Sequence, residues 1–153
     1  MTKFQRNVTV ICFLSIAFVS CKEKKASASH DNWDKQNLRN LDVKDSAYQN
    51  AIKIARDNLN FFIKLFQDKK NNKFDYYIKS RFVEDENVEH MWLVVDSING
   101  DTFIATLDNV PDKLTKLKLN DQLKIPSHNV EDWIIYQKDS VLFGNFISHS
   151  LDK

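Results

Sequence analysis

The sequence predicts an α+β domain: one N-terminal amphipathic helix packed on a curled antiparallel sheet, or on a small open barrel, of five to six strands. Three observations predict it. Tyr48, Ile52, Ala55, Leu59, Phe62 and Phe66 recur at alternating spacings of four and three, which places them on one face of a helix. From Phe74 onward the apolar period changes to two, the repeat of side chains along a strand. Asn99-Gly100 lies between two such runs, and a two-residue hairpin turn wants the positive φ that Asn and Gly accept. A helix followed by antiparallel strands is an α+β arrangement.

Residues 1–20 read as an address ahead of that domain. Lys3 and Arg6 form a basic start, and Val8 to Val19 follow as a twelve-residue apolar stretch broken only by Thr9 and Ser15. Twelve helical residues span about 18 Å, short of a hydrocarbon core of roughly 30 Å, so a signal peptide fits better than a transmembrane anchor. Phe18-Val19-Ser20-Cys21 resembles a bacterial lipobox, which implies lipidation of Cys21 and removal of the leader. Phe18 and Val19 depart from the usual residues of that motif. Ordinary cleavage after Ala17, with Ser15 as the other small residue, is the alternative. Removing Lys3 and Arg6 takes the 22 cations to 20 against 21 anions, a net charge of −1. Loss of Cys12 with the leader and acylation of Cys21 would leave no free thiol, which suits an oxidising envelope.

Residues 21–45 then read as a lipidated cysteine and a flexible tether reaching roughly 25–30 Å. Ser46 and Gln49 match a capping box, so the helix and the single domain, 46–153, begin there. Ile54, Phe61 and Leu65 widen the apolar stripe, as a helix lying on a sheet requires. An amphipathic helix on a membrane surface is the rival reading, although the polar face carries acids and amides as well as Lys. Lys69 to Lys73 end the helix. Strands are predicted over Phe74 to Val83, Val88 to Ile98, Asp101 to Leu107, Leu117 to Ile125, Trp133 to Tyr136 and Val141 to Ile147.

Hairpin arithmetic assigns faces. A turn at Asn99-Gly100 sets Val95 opposite Ile104 and Trp92 opposite Leu107, and a loop at 84–87 sets Val83 opposite Val88 and Ile78 opposite Leu93. One face then carries Tyr76, Ile78, Met91, Leu93, Val95 and Ile104, a core for the helix stripe. The other carries Tyr77, Lys79, Arg81, His90, Trp92 and Val94, with Phe103, Ala105 and Leu107 beyond. Aromatic area beside cations is the make-up of a binding face. In the plainer reading Lys79 lays its stem over Trp92 and further strands cover the rest. At the C-terminal hairpin, Tyr136 is expected to face Val141, and Trp133 to lie over Gly144.

Composition removes several function classes. The 22 cations and 21 anions give a formal charge of +1, which offers no electrostatic case for nucleic acid. Two glycines cannot build a phosphate-binding loop, and two cysteines cannot build a cysteine zinc site. No cofactor or metal is expected. Glu84-Asp85-Glu86 lacks the spaced ligands and turn glycine of a calcium loop and reads as a solvated hairpin tip. His128 and His149 share no ligand spacing with His90. Glu89, His90 and Asp132 are the residues suited to acid–base work, but neighbours in a strand point to opposite faces, which separates Glu89 from His90.

Phe82-Val83-Glu84, Val88-Glu89-His90-Met91-Trp92, Leu107-Asp108-Asn109, Asp121 to Pro126, Asp132-Trp133 and Gly144, taken in order, resemble the bacterial YegJ-like family, domain of unknown function 2314. The resemblance covers roughly 47–149 and implies importance for Glu89, His90, Trp92, Asp132 and Trp133, without supplying a reaction. Where the family often has Gly-Asp, this chain has Asn120-Asp121. Where it often has paired glycines followed by Tyr-Thr, this chain has Gly144-Asn145-Phe146-Ile147. The functional expectation is a lipoprotein of the bacterial envelope, anchored to a membrane and facing the periplasm or the outside. Its small non-catalytic domain would bind a protein or another envelope component. The alternative is an envelope hydrolase or metal-dependent enzyme using His90 with Asp132 or Glu89.

Overall fold

A computed structural model describes residues 45–68 and 73–151. The leader, Cys21, the tether to residue 44 and the helix stop at 69–72 lie outside the described residues. The architecture is α+β. A six-stranded antiparallel open sheet has the order β4-β3-β2-β1-β5-β6, with β1 at Asp75–Glu84, β2 at Asn87–Asn99, β3 at Thr102–Leu107, β4 at Gln122–Pro126, β5 at Val130–Gln137 and β6 at Ser140–Gly144. The sheet is open, with β4 and β6 as its two edges. No helix among the described residues is long and apolar enough to cross a membrane.

The helical segment falls into two pieces, α1 at Ser46–Asp57 and α2 at Leu59–Gln67. Its cap is Asp45 rather than Ser46: the Asp45 carboxylate accepts from the Ala47 amide at 2.8 Å, the N-cap bond that Asp makes well. Asn58 separates the pieces, and its side-chain amide donates back to the Ile54 carbonyl at 2.9 Å. The stripe is buried at Tyr48, Ile52, Ala55, Leu59 and Phe62, while Ile54 and Phe61 are exposed. Phe62 stands at the centre, with ring centroids 5.5 Å from Tyr76, 6.1 Å from Phe103 and 5.5 Å from Trp133. The Trp133 indole N–H donates to the Ala55 carbonyl at 2.8 Å, so the largest core side chain satisfies its one polar atom on the helix it packs against.

The β1–β2 register is as the loop arithmetic has it, Val83 opposite Val88 and Ile78 opposite Leu93. The β2–β3 hairpin differs. Asn99 pairs with Thr102, so Gly100 and Asp101 are the central turn residues, and only Gly100 has positive φ, +57°. A positive φ at the first central position alone is the II′ pattern rather than I′. Asp96 is then the extra residue of a bulge, between Val95 opposite Ala105 and Ser97 opposite Ile104. The shift exchanges faces on β3: Phe103, Ala105 and Leu107 enter the core and Ile104 leaves it.

Strand β4 is shorter than Leu117 to Ile125, because residues 108–121 form an irregular segment that the sheet clasps. The last strand is shorter too. It stops at Gly144, and Phe146–Leu151 forms a helix, α3. Ile134 rather than Trp133 is the ladder partner of Gly144, since Leu142 is the extra residue of a bulge, whereas Tyr136 does face Val141. Trp133 nevertheless seats Gly144: a Cβ there would lie 1.9 Å from the Trp133 carbonyl oxygen and 2.8 Å from its ring, and φ is +90°. Both asparagines that stand where the resembled family often has glycine hold left-handed backbone, Asn120 at φ +71° and Asn145 at +63°. Asn is the side chain that best tolerates that region, so the turns survive the exchange.

Candidate functional site

The site grows from a third bulge. On β1 and β5, Lys79 is opposite Asp132 and Ser80 is opposite Val130, which leaves Glu131 as the extra residue. Strict alternation would send Glu131 toward the side of Trp133, into the core. The bulge re-aims it to the second face, where His90 projects beside Trp92. The His90 Nδ1 lies 2.5 Å from Glu131 Oε2, and the Tyr48 hydroxyl of α1 lies 3.1 Å from that nitrogen and 3.5 Å from that oxygen. A carboxylate only accepts, so Nδ1 carries the hydrogen toward Glu131, and the tautomer and ring orientation are fixed together. Burial raises the Tyr48 phenol well above the tyrosine range. The charge and hydrogen bond of Glu131 and the charge of Asp132 add to the rise, and Arg81 opposes it. The phenol is therefore a permanent O–H donor.

Beside this trio lies a buried row across three strands: Asp132 on β5, Lys79 on β1 and Trp92 on β2. Lys79 is 1% exposed, with its ammonium 5.0 Å from the Trp92 ring centroid. A desolvated ammonium over an indole face is a favourable cation–π contact. Asp132 is fully buried, and its oxygens accept from the amides of Trp133 at 2.8 Å, Phe146 at 3.2 Å and Ile147 at 2.9 Å, tying β5 to the start of α3. Burial pushes its carboxyl up to about 6, while those amides and the Lys79 ammonium pull the other way.

The residues singled out from sequence thus separate. Arg81 is exposed, His90 and Tyr77 are half-buried, and Lys79 and Trp92 are buried. Tyr77 packs edge-on against Tyr136 at 5.8 Å, and burial, with Asp108 and Asp75 nearby, pushes its phenol up to about 12. Glu89 stays on the other face, where its carboxylate accepts from the amides of Asp112, Lys113 and Leu114. Glu84 likewise takes the amides of Thr115 and Lys116 and the Thr115 hydroxyl, which hold its carboxyl below the usual range. These two acids hold a loop. The carboxylate that meets His90 is neither Asp132 nor Glu89 but Glu131, and Trp133 belongs to the core.

Sequence reasoning missed Tyr48, read only as stripe, and Glu131. One signal could have found the second: Val130-Glu131-Asp132-Trp133 places two adjacent acids in an otherwise apolar strand, which strict alternation cannot keep out of a core on both faces. Among the described residues no three His, Cys, Asp or Glu side chains are grouped as metal ligands.

Comparison with known proteins places the described domain. The family model described as "Uncharacterized protein conserved in bacteria (DUF2314)" matches residues 45–152. The "Uncharacterized protein YegJ" of Escherichia coli (strain K12) is 26% identical over 98 residues, which cover 64% of this chain and 63% of that protein. The match therefore spans less than two thirds of that relative's length. No solved structure matches.

Proposed function

The chain belongs to the bacterial DUF2314 family, and from that premise we propose that it is a membrane-anchored envelope lipoprotein whose sheet domain is a non-catalytic binding module. Residues 1–20 serve as the signal, Cys21 as the lipid site and 21–45 as the tether of a domain over 46–153. The apolar run Val8 to Val19 followed by Ser20-Cys21 supports the anchor. The observation that carries the binding reading is the commitment of the ionisable groups on the second face. Asp132 is occupied by three amides and Lys79 is buried against Trp92, while Glu131 fixes His90. A general acid or base must reach a substrate. What this face offers to solvent is Arg81, the edge of His90 and the Tyr77–Tyr136 pair, which is recognition chemistry.

The test uses the full chain in its native membranes. Cys21→Ser releases the protein from the membrane fraction, and mass analysis of the wild-type N-terminus finds an acylated cysteine. Affinity capture from those membranes yields a partner that is recovered about ten-fold less with Arg81→Gln, a change worth ~1.4 kcal/mol, at unchanged melting temperature. Retention of Cys21→Ser on the membrane overturns the anchor. Equal recovery with Arg81→Gln overturns the binding face.

A further inference from the structure

We infer that the outer edge of β6 docks a second copy of this chain. The two β6 strands pair antiparallel about a two-fold axis at Phe143, and Phe61 and Phe143 of both copies close over the joint. The inference goes beyond the reading of the second face and does not depend on it.

The two edges of the sheet are guarded differently. Strand β4 carries exposed Lys124 and ends on Pro126, the charge and the missing amide that natural edges use against strand addition. Strand β6 reads Ser-Val-Leu-Phe-Gly and has neither. Ser140, Val141, Leu142 and Phe143 are all exposed, and no strand among the described residues pairs with the outer side of β6. Its outward amides and carbonyls are a template for another strand. The bulge at Leu142 shortens the run that can pair, so side chains must supply the rest of an interface. They do so on the helix side of the sheet. Phe143 is the ladder partner of Ile135, a core residue, and its ring meets Phe61 of α2 edge-on at 5.1 Å. That contact covers neither ring: Phe61 stays 43% and Phe143 44% exposed. Ile54, about two turns before Phe61, is exposed as well. The apolar surface thus continues from the open strand onto the helix layer beside it.

Charge and symmetry select a second copy as the occupant. An axis at Phe143 sets Phe143 opposite its own counterpart and Leu142 opposite Gly144, while Lys138 and Asp139 fall outside the paired run, so no like charges are brought face to face. Antiparallel pairing keeps both helix layers on one side of the joined sheet and turns α2 antiparallel to its counterpart. Asp57 lies about a turn before Phe61 and Lys64 about a turn after it, and both are exposed. Two copies that meet at Phe61 therefore bring Asp57 of each toward Lys64 of the other. Asp57 already holds Lys53 through Oδ2 at 2.6 Å, and its carboxylate has a second oxygen to offer. Opposite charges at the rim and apolar rings at the centre make this surface complementary to itself.

The experiment is photo-cross-linking of the full chain in its native membranes. Two differently tagged copies are co-expressed, each with a benzoylphenylalanine probe at position 142. The expected result is a product that carries both tags, with its cross-linked peptides in residues 140–145 of the second copy. The same probe at position 124, on the guarded edge, should give no such product. Phe143→Lys sets like charges on the axis and should lower the yield about ten-fold or more. Lys64→Glu alone, or Asp57→Lys alone, sets like charges at both rim contacts and should lower it about five-fold. One copy of each restores opposite charges at both contacts, so the mixed pair should recover the wild-type yield. Only pairing between copies predicts that recovery, and loss of folding would not produce it. Absence of the two-tag product in the otherwise wild-type chain overturns the inference, as does equal yield from position 124. Cross-links from position 142 to a different protein, or to residues 22–44 of the same copy, assign another occupant and overturn it too. Failure of the mixed pair to recover overturns the arrangement about Phe61.

Discussion

Asp132 sits where three amides converge in a fully buried pocket of the second face, and burial outweighs them, leaving its carboxyl at about 6 instead of 3.8. An acid whose folded pKa exceeds its unfolded value takes up a proton on folding between the two. Its contribution to stability is full below about pH 4 and is lost as pH rises through about 6. Chemical denaturation across pH 4 to 7 should therefore show wild-type stability falling by up to about 3 kcal/mol relative to Asp132→Asn, whose side chain does not titrate. A flat difference would place the carboxyl in its ordinary range. Other residue-level features were legible without the fold. Gly144 against Trp133 follows from hairpin arithmetic even though a bulge moves the formal partner to Ile134. The positive φ of Asn120 and Asn145, by contrast, was not legible, because the exchange of the family's glycines for asparagine put those turns in doubt and only the backbone shows that they form. Backbone conformation is set locally, and the residue types that tolerate φ > 0 are few.

Elements are where the sheet's irregularities matter. Asp96, Glu131 and Leu142 are each one residue too many for their partner strand, and each has a different consequence. Asp96 turns outward, and its carboxylate accepts from the Thr106 hydroxyl at 2.7 Å and the Gln122 amide at 3.2 Å. Glu131 turns to His90. Leu142 lies in the edge strand β6, where Val141, Leu142 and Phe143 are exposed and the Phe143 ring lies 5.1 Å from Phe61 of α2. The irregular segment after β3 is held by side chains rather than by a ladder, Glu89 taking the amides of Asp112 to Leu114 and Glu84 those of Thr115 and Lys116. Glu89→Ala should therefore raise amide exchange at Asp112–Leu114 by at least about ten-fold and cost about 1–3 kcal/mol of global stability. Unchanged protection there would show that the loop orders itself. This clasp gives the Glu89 of the family motif a structural role that its place next to His90 did not suggest.

For the molecule as a whole, the main core joins α2 and the end of α1 to the sheet through Phe62, which packs against rings from β1, β3 and β5, while Tyr48, Ala51 and Ile52 of α1 form a smaller cluster with Ile147 of α3 and Phe146 touches both. Phe62→Ala should cost about 3–5 kcal/mol and lower the melting temperature as one cooperative transition. Separate melting of α2 from the sheet would contradict that shared core. The sequence by itself determined the α+β class, the helix stripe, the β1–β2 register and the set of residues on the core side of β1 and β2. Those depend on period and turn chemistry, which are local. Only the tertiary structure decided that β3 turns Phe103 inward, that a helix rather than strand follows Gly144, and that Tyr48, His90 and Glu131 meet across separations of 42, 41 and 83 residues. The reason is the bulge. One extra residue reverses every side chain beyond it, and whether a strand carries one depends on how its partners and the packed helices fit, not on the strand's own alternation.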